Sequence, residues 1–218
     1  DALTDVDLRE LVTFHRERGA LATLALKRVA DTTGYGVAEL DAEENILRFQ
    51  EKPQTREAVS NLANTSIYVL EPEALDYVPD DTFFDFADEV FPRLLEAGQK
   101  VVGYDVDGSY WSDVGTLESY KEAQRDALSG RVAVEVPGER CGGGLWISEE
   151  ARIHPSAYRL MEGYAFVGRE AVVGLGASLS GVAAVGDDCR VGDGATVKRS
   201  VLLPGASVGR GAGLARTA

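Results

Sequence analysis

A six-residue ladder runs through the C-terminal part of this chain and restricts its fold more than any other feature. Met161, Val167, Val173, Leu179, Val185, Val191, Val197 and Leu203 follow one another at steps of six. Four residues after each comes Ala165, Ala171, Ala177, Ala183, Cys189, Ala195, Val201 and Ser207, small in all but one case. One inward apolar side chain per short strand, with a small residue at the tight corner that follows, is the packing of a hexapeptide-repeat β-helix. Glycines at 168, 174, 186 and 192 suit the turns. Ile147 with Ala151 and Ile153 with Ala157 open the same pattern, but the next step would put Arg159 inside. The frame therefore slips by two, and a loop or bulge is expected within residues 158–160.

The chain ahead of the ladder is organised differently. Leu8, Leu11 and Val12 fall at helical spacing between Asp5 and Arg18, and Gly19 supplies a stop. Strands are predicted over Leu21–Val29, Val37–Leu40, Ile46–Glu51, Ser66–Leu70 and Val101–Val106, the second and third joined by the turn Asp41–Asn45. Helices are predicted near Glu73–Tyr77, over Ala87–Ala97 with Pro92 as a kink or restart, and from the cap Thr116 to Leu128. Alternating strands and helices argue for a layered α/β domain. Ser129-Gly130, Pro137-Gly138 and Gly142-Gly143-Gly144 then bracket a short apolar segment. The expected organisation is an α/β domain over residues 1–128, a linker over 129–146 and the repeat domain over 147–218.

Charge and cysteine content narrow the function classes. A formal charge of −14 disfavours nucleic acid and anionic membranes as partners, and no apolar run approaches the ~20 residues of a membrane span. The two cysteines, Cys141 and Cys189, have neither disulfide-framework density nor metal-ligand spacing, which fits a reducing cytoplasm. An anionic small ligand would need local bases or a metal ion to approach such a chain.

Two charged constellations offer these. In Phe49-Gln50-Glu51-Lys52-Pro53 an acid and a base stand where a strand meets a proline, which lacks an N–H and biases Lys52 toward extended geometry. A carboxylate accepts bonds from sugar hydroxyls and an ammonium holds a phosphate, so the pair suits a phosphorylated sugar. On residue types alone it also reads as a solvated strand end. Strand alternation, moreover, sends the two side chains to opposite faces unless the backbone twists locally. In Tyr110-Trp111-Ser112-Asp113-Val114-Gly115-Thr116, a carboxylate and a Gly-Thr turn precede a helix. That arrangement can hold a hard metal ion beside a phosphate, or simply close a turn and cap the helix.

The order of motifs carries more than either constellation. Asp1-Ala2-Leu3-Thr4-Asp5-Val6-Asp7-Leu8, Tyr35-Gly36-Val37, Phe49-Gln50-Glu51-Lys52-Pro53, Asn64-Thr65-Ser66-Ile67-Tyr68 and Trp111-Ser112-Asp113-Val114-Gly115-Thr116 occur in sequence ahead of the hexapeptide tail. In this the chain resembles the sugar-1-phosphate nucleotidyltransferases over nearly its whole length. It is most similar to the mannose-1-phosphate guanylyltransferases that carry a left-handed β-helix, with glucose-1-phosphate thymidylyltransferases as near neighbours. The resemblance implies part of a Rossmann-like mixed sheet followed by that helix. It also implies Mg²⁺ bound by Asp1 and Asp113, and Gly36 allowing close approach of the sugar. Glu51 would bind sugar hydroxyls, Lys52 the sugar phosphate, and Asn64 the sugar or its surroundings. The implied reaction is attack by a sugar-phosphate oxygen on the α-phosphate of a nucleoside triphosphate, with release of pyrophosphate.

Two departures qualify it. Nothing here matches the family's Gly-rich loop with its arginine and lysine, so an N-terminally truncated chain, inactive by itself, is expected. Ser66 stands where the family commonly has glycine. Two competing classes remain. One is a hexapeptide acyltransferase, for which His154 would be the base. The other is a non-catalytic homologue that senses nucleotide sugars or scaffolds an oligomer. The β-helix is expected to mediate subunit contacts or to cap the domain, Trp146 to pack between the domains, and Cys189 to be an inert rung.

Overall fold

The computed structural model describes residues 2–53, 57–81 and 83–217. Its two compact units are Val6–Trp111 together with Ala2, and the chain from Ser112 onward together with Leu3–Asp5. Strand β1 (Ala2–Thr4) precedes helix α1 (Leu8–Arg18). Asp7 starts α1 by accepting the N–H groups of Arg9 and Glu10, and Gly19 ends it in the left-handed region at φ 56°. On its buried face, the His15 ring meets Thr23 Oγ1 at 2.8 Å and a Glu71 carboxylate oxygen at 3.2 Å.

The first unit is built around β2 (Ala22–Arg28) in a five-stranded sheet. Its other strands are β3 (Val37–Leu40), β4 (Ile46–Gln50), β5 (Leu62–Leu70) and β6 (Val101–Asp105), in the order β4-β3-β5-β2-β6. Only the β2–β6 pairing is parallel, so the sheet is mixed. Both faces of β2 are covered: Ala22, Leu24 and Leu26 pack with Phe91 and Leu94, while Ala25 packs with Val6, Leu11 and Val106. The helix expected over Ala87–Ala97 is divided. A π-turn over Phe86–Val90 leads into α2 (Phe91–Glu96), and Pro92 falls in the first turn, where its missing N–H leaves no bond unmade. The segment expected as a short helix near Glu73 is a 3₁₀ turn, Pro72–Tyr77.

β5 is longer than the predicted Ser66–Leu70 and contains a bulge. Leu24 pairs with Tyr68 and Leu26 with Asn64, so Thr65, Ser66 and Ile67 face Ala25 alone. Ser66 sits at φ 62°, a left-handed conformation that glycine adopts without penalty.

β7 (Trp111–Asp113), which enters the second unit at Ser112, pairs with β1 and leads into α3 (Leu117–Ser129). Thr116 and Ser119 cap this helix reciprocally, and Gly130 closes it at φ 79°. A β-helix follows. Its strands are β8 (Glu139–Arg140), β9 (Leu145–Ile147), β10 (Arg152–Ile153), β11 (Met161–Val167), β12 (Val172–Val173), β13 (Ser178–Val185), β14 (Arg190–Val191), β15 (Thr196–Leu202), β16 (Ser207–Val208) and β17 (Gly213–Ala215). They stack in two sheets, β17-β15-β13-β11-β9-β8 and β10-β12-β14-β16, with every pairing parallel except β8 on β9. A short helix, α4 (Pro155–Tyr158), occupies the place where the repeat frame slips. One coil is 18 residues, three hexapeptides: the Arg169 N–H reaches Asp187 and the Leu175 N–H reaches Asp193 across that interval. Glycines 168 and 174 serve those bonds, since a β-carbon on either would lie 2.5 Å from the accepting carboxylate oxygen.

The ladder points inward as expected from Val167 to Val197, with Ala165, Ala171, Ala177, Ala183, Cys189 and Ala195 buried at the corners. Its last rung does not. Leu203 is 58% exposed, and Leu202 and Val208 take the inward places instead. The cause is a corner shortened by one residue. Ser180 pairs with Lys198 but Ala183 with Ser200, so Arg199 alone spans what Gly181 and Val182 span one coil earlier. Leu179→Ala should therefore cost about 2–5 kcal/mol of stability in urea unfolding, and Leu203→Ala less than about 0.5 kcal/mol. A loss at Leu203 equal to that at Leu179 would restore the unbroken register and refute the short corner.

Candidate functional site

Three of the sequence motifs meet at one end of the β3–β4 hairpin. Val37 pairs with Gln50, which sets Gly36 opposite Glu51, and Val37 also pairs with Ala63. The Asn64 N–H consequently donates to the Gly36 carbonyl at 2.7 Å. Gly36 is needed for clearance: a β-carbon there would lie 2.5 Å from Glu51 Oε2 and 2.6 Å from the Phe49 ring. The carboxylate of Glu51 and the Phe49 ring thus both rest against the bare backbone of Gly36.

Lys52 departs from the extended geometry expected before Pro53. Its φ is 40°, and β4 has already ended at Gln50, so no ladder bond holds residue 52 in line. This left-handed twist cancels the alternation that would separate the two heads, and Lys52 Nζ lies 3.2 Å from Glu51 Oε1. The Glu51 hydrogen bond, the charge of Glu51 and then the charges of Asp88 and Asp85 raise the Lys52 pKa above the usual lysine value. Lys52 therefore remains a cation at neutral pH. Its side chain is 65% exposed and that of Glu51 21%, so the acid forms the wall and the base the rim.

Asn64 is buried at the foot of the same wall. Its Nδ2 donates to Tyr68 Oη at 2.8 Å, and its Oδ1 accepts from the Ser66 N–H at 3.0 Å. Burial pushes the Tyr68 phenol up, and the charges of Asp85 and Glu51 push it further, against the hydrogen bonds from Asn64 and Ser66. Tyr68 therefore stays a neutral phenol in the neighbourhood of both carboxylates. Asp85 is held in place as the cap of the π-turn, accepting from the N–H groups of Ala87 and Asp88. Trp111 joins from a third motif: its indole N–H donates to the Thr65 carbonyl at 3.1 Å, and its ring meets Tyr35 edge-on at 5.5 Å. Carboxylates, an amide and aromatic rings around one base form a wall suited to a hydroxyl-rich ligand bearing an anion.

The predicted residues Gly36, Glu51, Lys52 and Asn64 are thus brought together in the first unit. Asp113 is exposed at the end of β7, in the second unit. Asp1 lies outside the described residues. Among the described residues no group of three or more His, Cys, Asp or Glu side chains is placed to hold a metal ion. Tyr68, Asp85 and Asp88 were not anticipated. Tyr68, at i+4 from Asn64 in a strand, carried a signal in its spacing, whereas Asp85 and Asp88 lie too far along the chain for any periodicity to link them to Lys52. His154 caps α4, its Nδ1 bonded to Ser156 at the hydroxyl (2.8 Å) and the backbone N–H (3.2 Å). The Trp146 indole donates to the Leu128 carbonyl at the end of α3. No described helix is long and apolar enough to cross a membrane.

Residues 1–130 match the nucleotidyl transferase family. The chain is 34% identical over 217 residues to a UTP–glucose-1-phosphate uridylyltransferase of Synechocystis, covering 98% of this chain and 55% of that protein. It is 36% identical over 201 residues to a mannose-1-phosphate guanylyltransferase of Mycobacterium tuberculosis, covering 91% and 54%. A glucose-1-phosphate adenylyltransferase of Desulfitobacterium hafniense is 29% identical over 227 residues, covering 95% and 52%. The chain spans about half the length of the curated relatives it matches. With the motifs in order, the mixed sheet and the β-helix behind it, the chain belongs to the nucleotidyl transferase family.

Proposed function

We propose that this chain supplies the sugar-phosphate side of an enzyme that transfers a nucleotidyl group from a nucleoside triphosphate to a sugar 1-phosphate and releases pyrophosphate. The observation that carries the reading is the cluster of Gly36, Glu51, Lys52 and Asn64, in which a clamped carboxylate and a protonated amine stand 3.2 Å apart. Glu51 accepts bonds from sugar hydroxyls, Asn64 and Tyr68 line the sugar, and Lys52 holds its phosphate. Asp1 and Asp113 are the proposed carboxylates for Mg²⁺. The exposed oxygens of Asp113 are hard donors, and Mg²⁺ takes one or two carboxylates with substrate phosphates completing its shell. When bound, the ion would supply charge neutralisation at the reacting phosphate. In-line attack by a held sugar phosphate needs no protein nucleophile, so positioning by the Glu51–Lys52 pair is the chain's own contribution.

Mannose 1-phosphate with a guanine nucleotide is our first choice of substrates, supported by the 36% identity to a guanylyltransferase. Glucose 1-phosphate with a uridine nucleotide is the second, supported by the match to a uridylyltransferase over 98% of the chain. A cytoplasmic location accords with both. In the full-length protein, pyrophosphate release should require Mg²⁺ together with a sugar 1-phosphate, and a screen of triphosphates against sugar phosphates would identify the pair. Release without any sugar phosphate would sink the proposal.

Lys52→Ala should raise the KM for the sugar phosphate about 10- to 100-fold with little change in kcat, the size of one lost charge-assisted bond. Unchanged kinetics would exclude Lys52 from the phosphate site. Gly36→Ala should raise the same KM, because its β-carbon displaces the Glu51 carboxylate. Asp113→Asn should instead lower kcat by about a hundredfold or more, with partial recovery at high Mg²⁺. Full turnover in that variant would remove Asp113 from the metal.

A further inference from the structure

A second concentration of positive charge lies where α3 faces the β-helix, on residues with no part in the reading above. Glu118, Lys121, Glu122 and Arg125 project from one face of α3, at the i, i+3, i+4 and i+7 positions. That face borders a cavity of about 570 Å³ whose opposite wall is Gly181, Val182, Arg199 and Arg216. Four cations and two carboxylates around one cavity give a local excess of positive charge in a chain whose formal charge is −14.

The two β-helix arginines occupy unusual backbone. The corner they belong to is left-handed in successive coils, with φ of 85° at Gly163, 77° at Gly181, 49° at Arg199 and 59° at Arg216. Gly163 pairs with Gly181, Arg199 replaces Gly181 and Val182 at the shortened corner, and the Arg216 N–H bonds to the Lys198 carbonyl beside it. Two coils thus use glycine, which adopts this conformation freely, and the next two use arginine, which does not. The stem of Arg199 lies over Gly181: a β-carbon on that glycine would be 2.7 Å from Arg199 Cγ. Its guanidinium is therefore directed back along the corner into the cavity. Among the described residues no ion pair involves Arg199 or Arg216, whereas Lys121 pairs with Glu118 at 3.3 Å and Arg125 with Asp126 at 3.1 Å. Strained arginines on adjacent coils repel one another, and among the described residues Glu118 and Glu122 share their cavity without forming an ion pair with either, an arrangement that a bound anion would stabilise.

We propose that the cavity between α3 and the Arg199–Arg216 corner binds a phosphorylated small molecule through its phosphate groups. Guanidinium forks match phosphate oxygens in pairs, and Lys121 adds a point charge from the facing helix. The lining contains no aromatic ring on which a base could stack, so the phosphate is the recognised group. The site is independent of the sugar-phosphate reading of Lys52.

Inorganic tripolyphosphate is the probe, followed by calorimetric titration and thermal melting of the purified protein, with the double variant Arg199→Gly, Arg216→Gly alongside. Glycine fits both corner conformations, so this variant should melt no lower than the parent in the absence of the probe. The parent should bind tripolyphosphate saturably, more weakly as salt rises, and melt higher in its presence. The glycine variant should lose at least about tenfold in affinity and show no such rise, and Lys52→Ala should bind as the parent does. Saturable binding that survives in the glycine variant, loss of binding in Lys52→Ala alone, or no saturable binding by the parent at millimolar tripolyphosphate would each overturn the proposal.

Discussion

The candidate site depends on the bulge in β5. In a regular strand, the carbonyl of Thr65 and the N–H of Ser66 would be committed to neighbouring strands. Setting Thr65, Ser66 and Ile67 against the single residue Ala25 releases both. The freed carbonyl takes the Trp111 indole and the freed N–H takes Asn64 Oδ1, while the Thr65 hydroxyl donates to the Ala25 carbonyl across the gap. The Thr65 carbonyl and the Ser66 N–H that the bulge uncouples thereby regain partners. The cost is Ser66 in the left-handed region, about 1–2 kcal/mol for a residue with a β-carbon. The return is an Asn64 side chain locked at both ends, by Ser66 behind it and Tyr68 beside it.

The same trade between strain and placement recurs at the end of β4. Lys52 leaves the extended region just where a proline follows, and only that departure sets its ammonium beside the Glu51 carboxylate. In the β-helix the corners carry the strain. Where the corner is two residues wide, glycine is used and the inward ladder keeps its step of six. Where it narrows to Arg199 alone, the next inward residue comes one position early, and Leu203 moves out while Leu202 moves in.

How much of this was legible depended on whether the cause was local. The cap Thr116, the stop at Gly19 and the β3–β4 turn rest on chemistry within a few residues, and the helices and strands they bound lie close to where the sequence puts them. The β-helix was legible because its long-range contacts repeat at a fixed interval of 18 residues and so leave a period in the sequence. The bulge, the twist at Lys52 and the short corner leave none. Each is a single displaced residue whose reason lies on another strand, and propensity at Ser66, Lys52 or Arg199 points away from the conformation found. At the candidate site the motif residues of the first unit were identified in advance, while their supports, Tyr68 and Asp85, were not. Tyr68 could have been read from its i+4 spacing to Asn64, whereas Asp85 approaches Lys52 only through the packing of the π-turn on the sheet.

Charge gives these local departures their purpose. A chain at −14 repels anions over the whole range of the Debye screening length, about 10 Å at moderate salt. An anionic ligand must therefore be won back at short range, where a cation held by its surroundings acts on it directly. Carboxylates alone around Asn64 would favour a neutral sugar by accepting its hydroxyls, and would reject its phosphate. On the proposed reading the ammonium of Lys52, a cation at neutral pH that Glu51, Asp88 and Asp85 stabilise further, gives that wall an edge that a phosphate can tolerate. Glu51, the counter-charge of Lys52, then has a second duty on the proposed reading, that of hydroxyl acceptor. Gly36 is the residue that lets it perform both, since any β-carbon there would push the carboxylate off the backbone and away from the amine.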